Sequence, residues 1–326
     1  MGAYSKSRRG IPAGSFLSTF PFPVMFYHDR QLQYKVRVEK PNPAFARLLQ
    51  QAIGGIEGEM RVCLQYLFQA WNSRGPQKYR DMLLETGTEE MAHIEMLATA
   101  VALNLEGAPL GMQEAAIAQD NVVGAILGGM NPRQFLSGGL GALAADAEGV
   151  PFNGSWIVSS GNIVGDMYSN VAAEATGRTL ATRLWEITDD PGMKDFLAFL
   201  IARDTMHQNQ WLAVIEELGG LKGNLPVPNS FPQSEEVQGF NYSFVSTYLG
   251  NDGTPQSRWT EGPSLDGKGQ FQVVKAQPLG GIPQLAPPVP QGHAQTEQMT
   301  LTDSLIGTVT DKVKGALSGS GDGAAS

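Results

Sequence analysis

The sequence predicts an all-α core, a four-helix bundle with a long crossover and an extended, mostly irregular C-terminal tail. Three observations predict it. Four long segments, residues 43–72, 76–105, 161–187 and 191–218, carry apolar residues at helical spacing. Their connections run short, long, short: Ser73-Arg74-Gly75-Pro76, then the Gly- and Ala-rich residues 107–160, then Asp189-Asp190. A short turn makes two long helices antiparallel, and a connection of that length can climb the full height of a bundle. After Lys222 the composition shifts to Pro, Gly and Asn with few apolar runs, which suits a chain lying on a surface rather than making a core.

Taken in order, residues 1–23 read as an irregular arm and residues 24–221 as the bundle domain, opening on an extended stretch to Val38. Asn42-Pro43 starts the first helix, since asparagine caps and proline is tolerated at the first helical position. It is expected to run unbroken to Asn72, and the second from about Pro76 to Leu105, each ~45 Å at ~1.5 Å per residue. The third ends near Ile187 and the fourth starts at Pro191 and closes at Gly219-Gly220. Residues 222–293 form the tail, expected to wrap neighbouring subunits. In residues 294–326, Leu301, Leu305, Val309, Val313 and Leu317 recur every four residues, an amphipathic stretch read as a weakly ordered extension.

Composition bounds the function. The chain has 326 residues, 42% of them hydrophobic and 17% charged, in the ordinary range of globular proteins. A net charge of −9 argues against nucleic acid and against an anionic membrane surface, because phosphate binding needs a basic footprint. No run approaches the roughly 20 apolar residues of a membrane span. The single cysteine, Cys63, excludes an internal disulfide framework and any Cys-x-x-Cys metal site, and it fits a reducing, cytoplasmic compartment. Arg8-Arg9 precedes a short apolar stretch interrupted by Pro12, Pro21 and Pro23, so no signal peptide is expected.

The chemistry lies inside the apolar stripes. In the second helix Glu90 and His93 fall among Leu83, Leu84, Met91, Ile94 and Ala98. Three residues apart, both leave one helix face, one turn from each other. A solvated pair on an outer face is the bland reading of any single Glu-x-x-His. The fourth helix, however, repeats the theme as Asp204-Thr205-Met206-His207, and the first and third each carry a lone acid in an apolar setting, Glu59 and Glu174. Glu90 follows Glu59 by 31 residues and Asp204 follows Glu174 by 30. Two similar hairpins thus each supply a lone glutamate and then an acid-x-x-His. That is the ligand arrangement of dimetal carboxylate bundles, and carboxylate with imidazole suits manganese or iron better than thiol-seeking metals.

The motifs Thr86-Gly-Thr-Glu-Glu-Met-Ala-His-Ile-Glu-Met96, Ser159-Ser-Gly-Asn-Ile-Val164 and Gly280-Gly-Ile-Pro283 resemble those of the dimanganese, non-haem catalases, over about residues 25–291. The resemblance implies a ferritin-like bundle, a homohexamer with the tail embracing neighbours, two manganese ions per subunit, and disproportionation of hydrogen peroxide. It implies Glu59 and His93 as ligands of one manganese, Glu174 and His207 of the other, and Glu90 as the bridge. Asp204 stands where the family usually has a glutamate serving as an outer-sphere base, and Tyr66 matches a tyrosine behind the ligands. Asp204 is one methylene shorter than that acid, and Ala173 stands where some members have arginine, with Arg178 a candidate substitute or a surface salt bridge. Some members bind calcium near the start of the second helix. Asp81 and Glu85, with the 249–251 loop, could contribute, the alternative being acids that favour the helix dipole.

Other residues carry less. Cys63 reads as a buried structural thiol, Gly87 and Gly177 as relief of bulk near a channel or in close helix packing, and Glu89 and Glu95 as solvated or interfacial. His28 and His293 have no evident partner. Two rivals stand beside a catalase: a diiron oxidase or ferroxidase, in which Asp204 would be a fourth carboxylate ligand, and a coat-like structural protein with a vestigial metal site.

Overall fold

A computed structural model describes residues 28–106, 129–248 and 253–285. The arm over 1–23, part of the crossover, the 249–251 loop, His293 and the amphipathic stretch over 294–326 lie outside the described residues. The helices are α1 (Pro43–Gly54), α2 (Glu59–Asn72), α3 (Gln77–Leu105), α4 (Pro132–Leu136), α5 (Ile163–Ile187), α6 (Pro191–Glu217) and α7 (Gly220–Asn224). No described helix is long and apolar enough to cross a membrane.

Side-chain caps start most of the long helices where the sequence places them. Asn42 Oδ1 accepts from Phe45 N at 3.1 Å, Asn162 Oδ1 from Gly165 N at 3.0 Å, and Asp190 Oδ1 from Gly192 N and Met193 N at 2.9 and 3.0 Å. The other Asp190 oxygen accepts from Glu39 N at 2.7 Å and Lys40 N at 3.1 Å, pinning the extended stretch against the bundle. From that stretch Leu32, Tyr34, Val36 and Val38 pack on the core.

One expectation fails. The helix predicted over 43–72 is two helices, broken at residues 55–58. Gly54, Gly55 and Gly58 end one helix and start the next, Gly55 and Gly58 being extended, and the crossover packs against the first of them. The crossover runs so close to Gly54 that a Cβ there would lie 2.4 Å from the Ala145 carbonyl oxygen. Buried Gln50 ties that strand of crossover down, donating to Leu143 O and Ala145 O and accepting from Leu143 N at 3.0 Å. After the break Glu59 opens a new helix, and the N-terminal end of the dipole favours its carboxylate. Gly54→Ala is therefore expected to destabilise the fold by about 1–3 kcal/mol through overpacking, read as a fall in denaturation midpoint.

The described chain forms two compact units, one up to residue 242 together with 262–271, the other of 243–261 with 272 onward. The tail is mostly irregular, as predicted, with three short strands, β1 (Ser243–Ser246), β2 (Gly262–Pro263) and β3 (Gln270–Lys275). In the first unit β2 pairs antiparallel with the start of β3; in the second, β1 pairs parallel with its end. The alternation Gln270-Phe-Gln-Val-Val-Lys275 is a strand signal too short to weigh against the surrounding Pro and Gly.

In the bundle α2 packs along α3 and α5 along α6. Two apolar clusters form its core. One joins Ile53, Met96, Leu97, Leu184, Phe196 and Leu200; the other joins Val62, Tyr66, Leu83, Met167, Ala173 and Trp211. Along α3, α5 and α6 the acids and histidines fall between the two clusters, so the polar residues form a buried belt with apolar walls on both sides.

Candidate metal centre

Four helices deliver the belt: Glu59 from α2, Glu90 and His93 from α3, Glu174 from α5, Asp204 and His207 from α6. Glu90, His93, Glu174, Asp204 and His207 are buried, and Glu59 nearly so. Two triads result, Glu59–Glu90–His93 and Glu90–Glu174–His207, with the potential ligand atoms of each within 4.8 Å of one another. Glu90 belongs to both. Its Oε2 lies 2.6 Å from His93 Nδ1 and its Oε1 3.0 Å from His207 Nδ1. Glu59 Oε2 is 3.8 Å from His93 Nδ1, and Glu174 Oε1 is 3.3 Å from His207 Nδ1. The two imidazoles stack with centroids 6.0 Å apart and 25° between planes.

These close approaches are not a closed hydrogen-bond network. Glu90 Oε1, both ring nitrogens of His93 and His207 Nδ1 are buried without a hydrogen-bond partner. A buried polar atom left so is costly unless something else binds it. The charges make the same point. Burial, then the Glu90 charge, push the Glu59 carboxyl up to about 7. Burial, then Glu59, Glu174 and Glu90, push Asp204 up to about 9. Burial raises Glu174 as well. Only Glu90 goes down, to about 2: burial would raise it, but the charge of His93 and the attraction of both histidines prevail. His207 moves up to about 12, burial opposing and Glu174, Glu89 and Glu90 outweighing it. The buried carboxylates therefore repel one another and favour protons or cations between them. Divalent cations in the two triads would relieve that repulsion, and the donor set of carboxylate oxygen and imidazole nitrogen fits manganese or iron.

Behind the triads, Tyr66 OH donates to Glu174 Oε1 in a very short hydrogen bond. The Tyr66 ring packs on Trp211 with centroids 4.8 Å apart, fixing the phenol from its other face. Asp204 belongs to neither triad.

Glu89 is the residue sequence reasoning missed. Read as solvated or interfacial, it in fact faces the outer edges of both imidazoles: Glu89 Oε2 is hydrogen-bonded to His207 Nε2 at 3.2 Å, and Glu89 Oε1 lies 3.6 Å from His93 Nε2. Burial would raise its pKa, yet His207, His93, Arg203 and Gln33 hold it far below the usual carboxylate range. The available signal was its position one turn before His93, which places both on one face.

The remaining candidates fall as follows. A Cβ on Gly87 would meet Leu67 Cγ at 2.9 Å, so close packing of α2 on α3 explains this glycine, whereas Gly177 meets only Glu57 O at 3.4 Å. Cys63 is buried and donates to Gly87 O at 3.3 Å, the structural thiol expected. Arg178 donates to Ile201 O and Thr205 Oγ1 and makes no salt bridge among the described residues. Glu95 pairs with His28 at 3.2 Å. Asp81 accepts from Gln77 at 3.2 Å and Glu85 is exposed, and among the described residues neither belongs to a cluster of three potential metal ligands.

Comparison with known proteins agrees with this geometry. Residues 25–308 match the family model described as manganese containing catalase. A manganese catalase of Bacillus subtilis is 46% identical over 269 residues, 82% of this chain and 97% of that protein. One of Lactiplantibacillus plantarum is 37% identical, with 82% and 98% covered. The solved structure of KatB, a manganese catalase from Anabaena, shares the fold with a TM-score of 0.60 at 24% identity, over 78% of this chain and all of that one. A buried belt of acids and histidines across a four-helix bundle, together with relatives aligned over nearly their whole length, shows that the chain belongs to the manganese-containing catalase family.

Proposed function

We propose that the chain disproportionates hydrogen peroxide to water and dioxygen with two manganese ions per subunit, held by Glu59, Glu90 and His93 and by Glu90, Glu174 and His207. The observation that carries this reading is Glu90 in both triads, because one carboxylate offering an oxygen to each side can hold two ions within reach of one substrate. Manganese bound there would supply the two-electron exchange, one peroxide being reduced to water and the next oxidised to dioxygen.

The chain's own residues manage protons and orientation. The peroxide that is oxidised releases two protons, and the one that is reduced consumes two. Asp204 is proposed to receive and return them, directly or through water, since it is buried beside three ligand acids yet outside both triads. Burial raises its pKa first and the Glu59, Glu174 and Glu90 charges add to it; neutralising those acids would remove their share and bring Asp204 toward the range in which it can exchange a proton at neutral pH. Tyr66 holds one Glu174 oxygen, leaving the other lone pairs of that carboxylate for a cation. The apolar clusters above and below the belt exclude bulk water.

Asp204 outside the triads also favours this reading over a diiron oxidase, where it would ligate. Metal analysis of protein produced with manganese and iron both present, followed by oxygen evolution from peroxide at an electrode, tests the proposal. Manganese near two per chain with oxygen release is expected; a manganese-loaded protein that evolves none would leave the coat-like reading in its place. The homohexamer, the tail embracing neighbours and the cytoplasmic location have the resemblance and the single cysteine as their support. Calcium at Asp81 and Glu85 has the resemblance alone.

A further inference from the structure

We infer that Arg203 is a positioning residue for both metal-facing imidazoles, acting through Glu89. The inference rests on the manganese reading above. Each histidine has its Nδ1 turned into a triad, and a ring in that orientation must place its Nε2 outward. His207 Nε2 is hydrogen-bonded to Glu89 Oε2 at 3.2 Å, and His93 Nε2 lies 3.6 Å from Glu89 Oε1, near that carboxylate but without a hydrogen bond to it. An imidazole that binds a cation through Nδ1 carries its proton on Nε2, so an acceptor there fixes the tautomer as well as the ring plane.

A carboxylate can serve two rings only if it is itself held still. Arg203 does this with two parallel bonds, Nε to Glu89 Oε1 at 2.6 Å and Nη2 to Glu89 Oε2 at 3.1 Å. Gln33, from the extended stretch before α1, adds a third at 2.9 Å to Oε1. Such a fork sets the plane of the carboxylate, which a point charge would not. The guanidinium also cancels the Glu89 charge. Arg203 lies partly exposed at the wall of a cavity of about 670 Å³, lined also by Gln33, Glu85, Thr88 and Phe199. A surface ion pair in such a place would contribute little to stability. This pair has a second duty, because its carboxylate ends on the imidazoles.

The test is a double-mutant cycle on manganese affinity, measured by titrating metal-depleted full-length chain with manganese and following free ion by electron paramagnetic resonance. Glu89→Gln is expected to weaken binding ~10–100-fold, the range for loss of a ligand's outer partner, and Arg203→Met about tenfold on the same scale. The double variant should bind no more weakly than Glu89→Gln alone, because Arg203 acts only through that carboxylate. Arg203→Lys keeps the charge and loses the fork, so it should fall between wild type and Arg203→Met. Unfolding midpoints of the metal-free variants should stay near wild type, which a purely structural role would not allow. Unchanged affinity in Arg203→Met, or additive losses in the double variant, would overturn the inference. A wild-type chain that binds no manganese would instead overturn the proposed function.

Discussion

Glu90→Gln is expected to cost at least one of the two ions and nearly all oxygen evolution. Glu90 is the one side chain common to the two triads, with an oxygen within 3.0 Å of an imidazole nitrogen on either side. Glutamine keeps the shape and leaves one oxygen, so the second triad meets an amide nitrogen that cannot donate a lone pair. One buried negative charge is lost as well. Manganese content should drop to one ion or fewer per chain, and turnover should fall by more than the ~100-fold upper range for losing an outer partner. Elemental analysis and an oxygen electrode on the same sample read both. A variant retaining two ions would show that Glu90 does not bridge.

Asp204→Asn should separate proton handling from metal binding. Asparagine is isosteric and still buried, but it neither takes nor returns a proton at neutral pH. General acid–base groups contribute typically ~10²–10⁴-fold, and turnover is expected to fall within that range while manganese content stays at the wild-type value. Loss of the metals in this variant would make Asp204 a ligand and return the diiron-type arrangement to favour. The shorter side chain of this chain's aspartate offers a second arm. Asp204→Glu should retain activity if the acid works through water, since the added methylene replaces solvent rather than removing a function.

Much of the fold and of the site was legible in the sequence because each rests on local periodicity. Helical spacing put Glu90 with His93 and Asp204 with His207 on single faces, and the matched offsets paired the lone acids Glu59 and Glu174 with them. Asn42-Pro43 marked where the first helix begins, and Asp189-Asp190 before Pro191 where the last long one does. What escaped has non-local causes. The close approach at Gly54 depends on the crossover, about ninety residues away in the chain. The role of Glu89 depends on Arg203 and His207 from α6 and on Gln33 from the stretch before α1. Arg178 turns to a neighbouring helix's carbonyl rather than to an acid.

By itself, the sequence determined four amphipathic helices in two matched hairpins and the acids and imidazoles that interrupt their apolar faces, because burial of a stripe at a period of 3.6 residues is written residue by residue. Only the tertiary structure decided that Glu90 is shared between two clusters, that Asp204 stands outside both, and that one carboxylate backs both histidines. Those facts depend on distances between helices, which follow from how the apolar walls pack and not from spacing along any one of them.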